Sequence, residues 1–170
     1  GDATLAESIR RAGNVVLILF TGDGEKRELD PTALGRARYA QSTPGAVPPR
    51  EVDSLMASQP LIASAAKGMG FATVTEDETR TVRRLPFARA ATGGLYMPFT
   101  VPLIAVAQGV NRGQLAYLGP QEEVRIGETK VKLDGDSLWL DFIGPGGSVP
   151  TYSALDVVEG RVPAEALRGK

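Results

Sequence analysis

The sequence predicts a single α/β domain with mixed α+β features, in which helices pack on a buried sheet and a C-terminal antiparallel β meander follows. Two patterns predict it. Apolar residues recur at helical spacing in residues 2–12 and lead into the strand-like segment 14–20, whose residues 15–20 are continuously apolar. Short strand-like segments separated by glycine turns follow residue 115. The chain has 170 residues, of which 42% are hydrophobic and 23% are charged, so it is long enough to bury one core.

The N-terminal third is predicted to form half of a βαβ unit and then a surface excursion. Asp2 is expected to cap the first helix, and Gly13 is expected to end it. The run 14–20 is rich in β-branched and aromatic residues, which is typical of a strand buried on both faces. Residues 21–54 carry glycines, charges and prolines, so we predict an exposed, flexible excursion with one short helix at 32–40.

The middle of the chain is predicted to contain a second helix and a hairpin. The helix spans 60–67, with Pro60 at its first position, and Gly68 and Gly70 are expected to end it. The stretch TEDETRTVRRLPF, at 75–87, follows. We interpret it as a polar turn between two paired strands, with arginines that fix the ends of the hairpin by charge pairing.

The C-terminal half is predicted to begin with a third apolar helix at 98–108, where Pro102 is tolerated near the first turn. Ser153 and Asp156 have the spacing of a weak capping box at the start of a later helix. Between these helices, the strands of the predicted meander are 115–118, 123–127, 129–133 and 138–144.

The absence of cysteine and histidine is the compositional fact that limits function most. It excludes zinc sites built on these residues, thiol nucleophiles and Ser–His–Asp triads. The net charge of −1 provides no overall basic surface for nucleic acid. No apolar run approaches the roughly 18–20 residues that span a membrane. We therefore expect no cofactor, no metal and no nucleic-acid partner.

Three glycine and carboxylate patterns resemble parts of known phosphate-binding or calcium-binding loops. The stretches TGDGEK, at 21–26, and GPGGSVP, at 144–150, are predicted to be turns, since neither has the spacing of a phosphate-binding loop. Asp134 and Asp136 resemble part of a calcium loop, but a strand follows at once, which favours a β-turn. An enzymatic alternative is a carboxylate-based hydrolase that uses a pair such as Asp134 and Asp141.

Four residues are the candidates for a ligand site: Asp77, Arg83, Arg84 and Trp139. Adjacent residues of a strand point to opposite faces, so the two arginines are not expected to clamp one ligand together. One of them is expected to form a structural salt bridge to Asp77 or Glu78. Trp139 alternates with apolar residues and is expected to pack against a helix, with an exposed sugar- or peptide-binding tryptophan as the alternative.

Several short motifs, taken in order along nearly the whole chain, resemble those of the type-two CHASE domain. The acidic turn that leads into Val-Arg-Arg and a proline is matched by Asp77, Val82, Arg83, Arg84 and Pro86. The closing pattern is matched by Gly144, Pro145, Gly147, Ser153, Ala154, Asp156, Gly160, Leu167, Gly169 and Lys170. The chain departs from the family at Thr79 and Arg80, where Asp-Gly is frequent, and this departure argues against a cation at the turn.

The resemblance implies an extracytoplasmic, periplasmic sensory domain of a membrane-anchored bacterial signal-transduction protein. The cytoplasmic output domain of the same chain would be an adenylate or guanylate cyclase, a histidine kinase or a serine/threonine kinase. The resemblance further implies a domain without catalysis, an unknown stimulus or small ligand, self-association, and additional strands and membrane helices outside residues 1–170. The alternatives are a passive dimerisation or assembly module, and the hydrolase.

Overall fold

The computed structural model describes residues 1–22, 31–91 and 93–168 of the chain. These residues form a mixed α+β structure of helices and several small sheets, as the sequence predicts. The chain divides into two units, Gly1–Leu140 and Asp141–Lys170, and each is described by itself.

The described residues contain six α-helices and eleven strands, numbered here in chain order. The helices are α1 (Asp2–Ala12), α2 (Pro31–Ala37), α3 (Pro60–Ala65), α4 (Thr100–Ala107), α5 (Ala154–Val158) and α6 (Ala164–Leu167). The strands are β1 (Val16–Gly22), β2 (Gln41–Thr43), β3 (Ser54–Met56), β4 (Gly68–Phe71), β5 (Arg84–Pro86), β6 (Arg89–Ala91), β7 (Gly94–Tyr96), β8 (Leu115–Leu118), β9 (Glu123–Ile126), β10 (Thr129–Lys132) and β11 (Ser137–Trp139).

The first helix packs on the third and confirms the predicted start of the chain. Ala6 and Ile9 of α1 are buried together with Ala65 of α3. Gly13 ends α1 as predicted: its φ is 69°, and its N–H donates to the carbonyl of Ile9 at 3.1 Å. The predicted cap at Asp2 is wrong by one residue, because Gly1 occupies the capping position and Asp2 lies in the first helical turn.

The strand β1 lies at the centre of a three-stranded sheet, antiparallel to β3 and parallel to β4. Leu19 faces the core and is fully buried, whereas Ile18 and Phe20 face outward, and Phe20 is 55% exposed. A strand is confirmed here, but the prediction that it is buried on both faces is wrong. Within the described residues, only the face that carries Leu19 packs on a core cluster.

Gly68 begins the strand β4 and Gly70 lies within it, so neither ends the helix before it and their predicted role is wrong. A Cβ atom on Gly68 would lie 2.8 Å from the Cβ of Pro102, and one on Gly70 would lie 2.7 Å from the backbone N and Cα of Phe99. The glycines therefore let β4 approach the start of α4 closely. The third helix is confirmed as α4, with Pro102 in its first turn.

Three of the predicted meander strands are confirmed, and the fourth leaves the sheet. Strands β8, β9 and β10 pair antiparallel in sequence order, and β2 adds a parallel strand beside β8. Strand β11 instead pairs antiparallel with β5, so that Trp139 lies opposite Arg84. The predicted hairpin at 75–87 is therefore wrong in its strand pairing: β5 has β11 as its partner, and β4 pairs with β1.

The described part of the predicted excursion contributes buried side chains to both large core clusters. Ala33 and Ala37 of α2 are buried in the same core cluster as Leu19, which confirms a short helix in this region. Tyr39 is buried in the other large core cluster, and its hydroxyl donates to the carbonyl of Phe87 at 2.7 Å. Residues 23–30, which include most of the predicted glycine turn, lie outside the described residues. Flexibility of this segment stays a prediction.

The second unit, Asp141–Lys170, contains α5 and α6. Helix α5 follows Ser153 as predicted, but the Ser153 side chain makes no capping hydrogen bond, so the capping box is wrong. The Asp156 carboxylate is instead engaged by Arg161, whose Nε donates to Asp156 Oδ1 at 2.7 Å.

We predict that Gly70→Ala lowers the free energy of unfolding by on the order of 1–3 kcal/mol, because the new methyl group would collide with the backbone of Phe99. Gly113→Ala is the matched control, since a Cβ atom there meets nothing within 4 Å. Urea denaturation of both variants measures the difference. Equal stability of the two variants would contradict the close approach.

Candidate ligand-binding site

A pocket of about 540 Å³ lies beside the paired strands β5 and β11. Its described lining contains all four candidate residues, together with two further arginines that the sequence analysis did not select. The residues that define this arginine–tryptophan pocket are Asp77, Arg83, Arg84, Trp139, Arg50 and Arg89. Its volume is within the ~300–1,000 Å³ range of small-molecule sites.

The acidic turn on one side of the pocket is organised around the Asp77 carboxylate. Asp77 Oδ1 accepts hydrogen bonds from the Thr79 hydroxyl at 2.7 Å, the Thr79 N–H at 2.8 Å and the Thr81 N–H at 3.1 Å. Arg83 pairs with Asp77 Oδ2, which confirms the predicted structural salt bridge and selects Asp77 over Glu78 as its partner. Arg80 adopts a φ of 57° at this turn, a conformation that non-glycine residues rarely adopt.

These contacts stabilise the charged form of the carboxylate. Hydrogen bonding, chiefly from the Thr79 hydroxyl and then from the backbone N–H groups of Thr81 and Thr79 and from Arg83, lowers the pKa of Asp77 from 3.8 to about 2. Asp77 therefore remains an anion at neutral pH. Its tight pairing with Arg83 makes it a structural element of the pocket wall.

Arg84 and Trp139 form the opposite side of the pocket as one unit. The Arg84 guanidinium carbon lies 4.2 Å from the centroid of the Trp139 ring. Asp134 holds both residues: it pairs with Arg84, and it accepts a hydrogen bond from the Trp139 indole N–H at 2.9 Å. The prediction that Trp139 packs against a helix is wrong, since the side chain is 56% exposed and its ring contacts Arg84.

Arg89 supplies a buried cation to the same pocket. It is 5% exposed; its Nη2 lies 3.4 Å from the Thr75 hydroxyl, and its Nη1 lies 4.0 Å from a carboxylate oxygen of Asp136. Its guanidinium carbon is 5.7 Å from the centroid of the Phe71 ring. Because Arg89 is almost completely buried, its positive charge lies in a largely desolvated position beside these groups.

The structure brings Arg83 and Arg84 to one pocket, although adjacent strand residues were expected to face opposite ways. The reason is that the strand begins only at Arg84. Arg83 precedes it and reaches back six residues to Asp77. The alternation rule therefore does not separate the two side chains.

Arg89 and Arg50 are the two arginines of the pocket that were not predicted from the sequence, and its other unpredicted lining residues are Thr75, Glu76, Pro86 and Ser137. Arg89 carried a usable signal, because it is the one charged residue in the apolar stretch LPFARAA at 85–91. A lone arginine in such a stretch must be paired or aimed at a cavity once the stretch is buried. Arg50 lies in a proline-rich segment that carried no such signal.

The pocket is suited to a small acidic molecule with a flat apolar part. Four arginines and only two carboxylates, Glu76 and Asp77, are among its described lining residues. Guanidinium groups bind carboxylates and other oxyanions through charge-assisted hydrogen bonds. The exposed face of Trp139 offers a surface on which a planar ring can stack.

Within 1–22, 31–91 and 93–168 there is no cluster of three or more metal-ligating side chains. Asp134, named in the hydrolase alternative, is held by Arg84 and Trp139. Among the helices of the described segments, none is long and apolar enough to cross a membrane.

The model of the family described as "CHASE2 domain" matches residues 1–170, the whole chain, including Gly169 and Lys170, which lie outside the described residues. This confirms the resemblance that the order of the sequence motifs indicated. No curated protein matches, and no solved structure matches.

We predict that the Asp77 carboxylate titrates with a midpoint near pH 2 in a carbon-13 NMR titration. Because its folded pKa is below the ordinary 3.8, its contribution to stability is complete above about pH 4 and is lost as the pH falls through 2. Thr79→Val removes the hydroxyl hydrogen bond and should move the midpoint toward 3.8. A native midpoint near 3.8 would show that the turn is not ordered around this carboxylate.

We predict that Arg84→Gln changes the free energy of unfolding by less than about 1 kcal/mol, because the Arg84 side chain is 45% exposed and its ion pair is screened by solvent. Arg89→Gln should cost more, since it replaces a buried cation that contacts Phe71 and Thr75. Denaturant unfolding compares them. A lower stability of the Arg84 variant would contradict the difference in burial between the two arginines.

Proposed function

Since the chain belongs to the CHASE2 domain family, a family of extracytoplasmic sensory domains found in cyclases and kinases, we propose that it is the stimulus-sensing part of a membrane-anchored bacterial signalling protein. In this proposal the domain lies on the periplasmic side of the cytoplasmic membrane. It has no catalysis of its own. It controls a cyclase, a histidine kinase or a serine/threonine kinase in the same chain.

The arginine–tryptophan pocket is the observation that carries the proposal of a small-molecule stimulus. It combines the buried Arg89 cation with the Arg84–Trp139 stack at its rim. The ligand class that these groups fit is a small organic acid with a planar ring. Its acidic group would pair with arginine, and its ring would lie on Trp139.

The same contacts suggest how binding would alter the protein. Arg84 is shared between Asp134 and the Trp139 ring, and a bound anion would compete with Asp134 for this guanidinium. Asp134 belongs to the turn before β11, and it forms an isolated bridge to Ser137. A ligand that prefers one arrangement of this turn shifts the population toward that arrangement, which is the step a sensor requires.

The proposal is tested by thermal melting of the protein with benzoate and indole-3-acetate, alongside the neutral benzamide and the ring-free acetate. A ligand at 100 times its Kd stabilises the folded state by about 2.7 kcal/mol, so a specific probe raises the Tm measurably. We expect the ring-bearing acids to raise the Tm more than benzamide or acetate does. Arg84→Gln and Trp139→Ala should abolish this difference.

Two variants are matched controls for these substitutions. Arg125→Gln removes an arginine of similar exposure, 46% against 45%, that is also paired with a carboxylate. Phe20→Ala removes an aromatic side chain of similar exposure, 55% against 56%. Both should retain the response to the acids. The pocket is rejected as the ligand site if the acids do not raise the Tm of the native protein, or if the control variants lose the rise in Tm equally. A stable dimer without any ligand response would then favour the passive assembly module.

A further inference from the structure

A second pocket, of about 480 Å³, lies on a different part of the first unit. Its walls come from α2, from the junction of α3 and β4, from α4, and from the segment between α4 and β8. It shares no lining residue with the arginine–tryptophan pocket. We call it the basic pocket after its three charged residues, Arg36, Lys67 and Arg112.

All the charged side chains in the described lining of the basic pocket are positive. Neither aspartate nor glutamate is among its described lining residues. Within the described part of the chain, no ion pair joins the side chain of Arg36, Lys67 or Arg112 to a carboxylate. Desolvation, and then repulsion from Arg36 and Arg38, lowers the pKa of Arg112, so this guanidinium lies in a field of like charge.

Arg36 is held rigidly in place before any ligand arrives. Its Nη1 donates to the carbonyl of Ala66 at 2.5 Å, and its Nη2 donates to the carbonyl of Ser64 at 2.8 Å, at the C-terminal end of α3. Its Nε is buried and has no hydrogen-bond partner among the described residues. The hydrogen bonds from Nη1 and Nη2 therefore fix the position of the guanidinium, which is the preorganisation that strengthens binding of an anion.

The remaining lining combines polar donors with an apolar wall. Asn111 and Thr32 add an amide and a hydroxyl, while Pro102, Ala105 and Val106 of α4 provide the apolar side. An apolar wall lowers the local dielectric constant, so each charge-assisted hydrogen bond in the pocket is stronger than it would be in open water. Three cations around one concave surface favour an anion that carries more than one negative charge.

We propose that the basic pocket is a binding site for a small multivalent oxyanion, held by Arg36, Lys67 and Arg112. Phosphate groups and polycarboxylates both fit this description, since they share the chemistry of closely spaced charged oxygens. The site is independent of the ligand site proposed above. Because it contacts α2, α4 and the start of β4, an anion here would join segments that are far apart in the sequence.

The test is isothermal titration calorimetry of the protein with inorganic pyrophosphate, citrate and acetate at constant ionic strength set by sodium chloride. We expect pyrophosphate or citrate to bind at a 1:1 ratio, with acetate at least tenfold weaker. Stronger binding of pyrophosphate would indicate a phosphate ligand, and stronger binding of citrate would indicate a polycarboxylate. Failure of both to bind, or acetate affinity equal to theirs, overturns the proposal.

Variants of the pocket separate specific binding from a general effect of charge. Arg112→Gln and Lys67→Gln should each weaken binding by about tenfold or more, which corresponds to the loss of about 1.4 kcal/mol or more of interaction with the anion. Arg112→Lys should bind more tightly than Arg112→Gln. Arg36→Gln is not used as a test, since Arg36 also holds the end of α3.

Arg11→Gln and Arg84→Gln are the controls. Arg11 is an exposed arginine on α1, outside both pockets, and Arg84 belongs to the arginine–tryptophan pocket. Both variants should bind the oxyanion like the native protein. Loss of binding in Arg11→Gln would show a non-specific effect of charge. Loss of binding in Arg84→Gln would place the anion in the arginine–tryptophan pocket. Either result overturns the assignment of the oxyanion to the basic pocket. Melting curves without anion confirm that each variant is folded.

Discussion

The close approach of β4 to the start of α4 is the constraint on which both pockets depend. Gly68 and Gly70 permit it, because any side chain at these positions would collide with Pro102 or with the backbone of Phe99. At the beginning of β4, this contact places Gly68 and Pro102 in the lining of the basic pocket. At its end, Phe71 lies under the guanidinium of Arg89. Two glycines thereby position one wall of the basic pocket and the aromatic ring that supports Arg89 in the arginine–tryptophan pocket.

The charged contacts around the arginine–tryptophan pocket are of two kinds. The pair of Arg84 with Asp134 is partly exposed, so it contributes little to stability and Arg84 can exchange partners. Arg89 is buried, and Arg83 is held by the acidic turn through Asp77, so both keep fixed positions. A pocket that combines fixed cations with one exchangeable cation can bind an acid without unfolding its own wall. This is a physical basis for a response to a ligand within a stable domain.

The two pockets compensate their positive charge differently. In the arginine–tryptophan pocket, carboxylates from the acidic turn and from Asp134 pair with the exposed arginines. In the basic pocket, Arg36 is held by carbonyl groups, and repulsion between cations remains. The net charge of the chain is only −1, so this local imbalance is invisible in the composition. It arises because folding gathers Arg36, Lys67 and Arg112 from separate segments.

The sequence by itself determined the family, the class of fold and most of the elements. Helical spacing identified α1, the proline at its first position identified α3, and an apolar run identified α4. Glycine-separated strands identified β8, β9 and β10, because all these signals depend on local geometry. It also singled out Asp77, Arg83, Arg84 and Trp139, and it predicted the Arg83–Asp77 salt bridge, whose partners are six residues apart. Only the tertiary structure decided that β5 pairs with β11 and that all four candidates face one pocket with Arg89. Strand partners distant in sequence are selected by the packing of the whole core, and no local pattern at residues 75–87 records that choice.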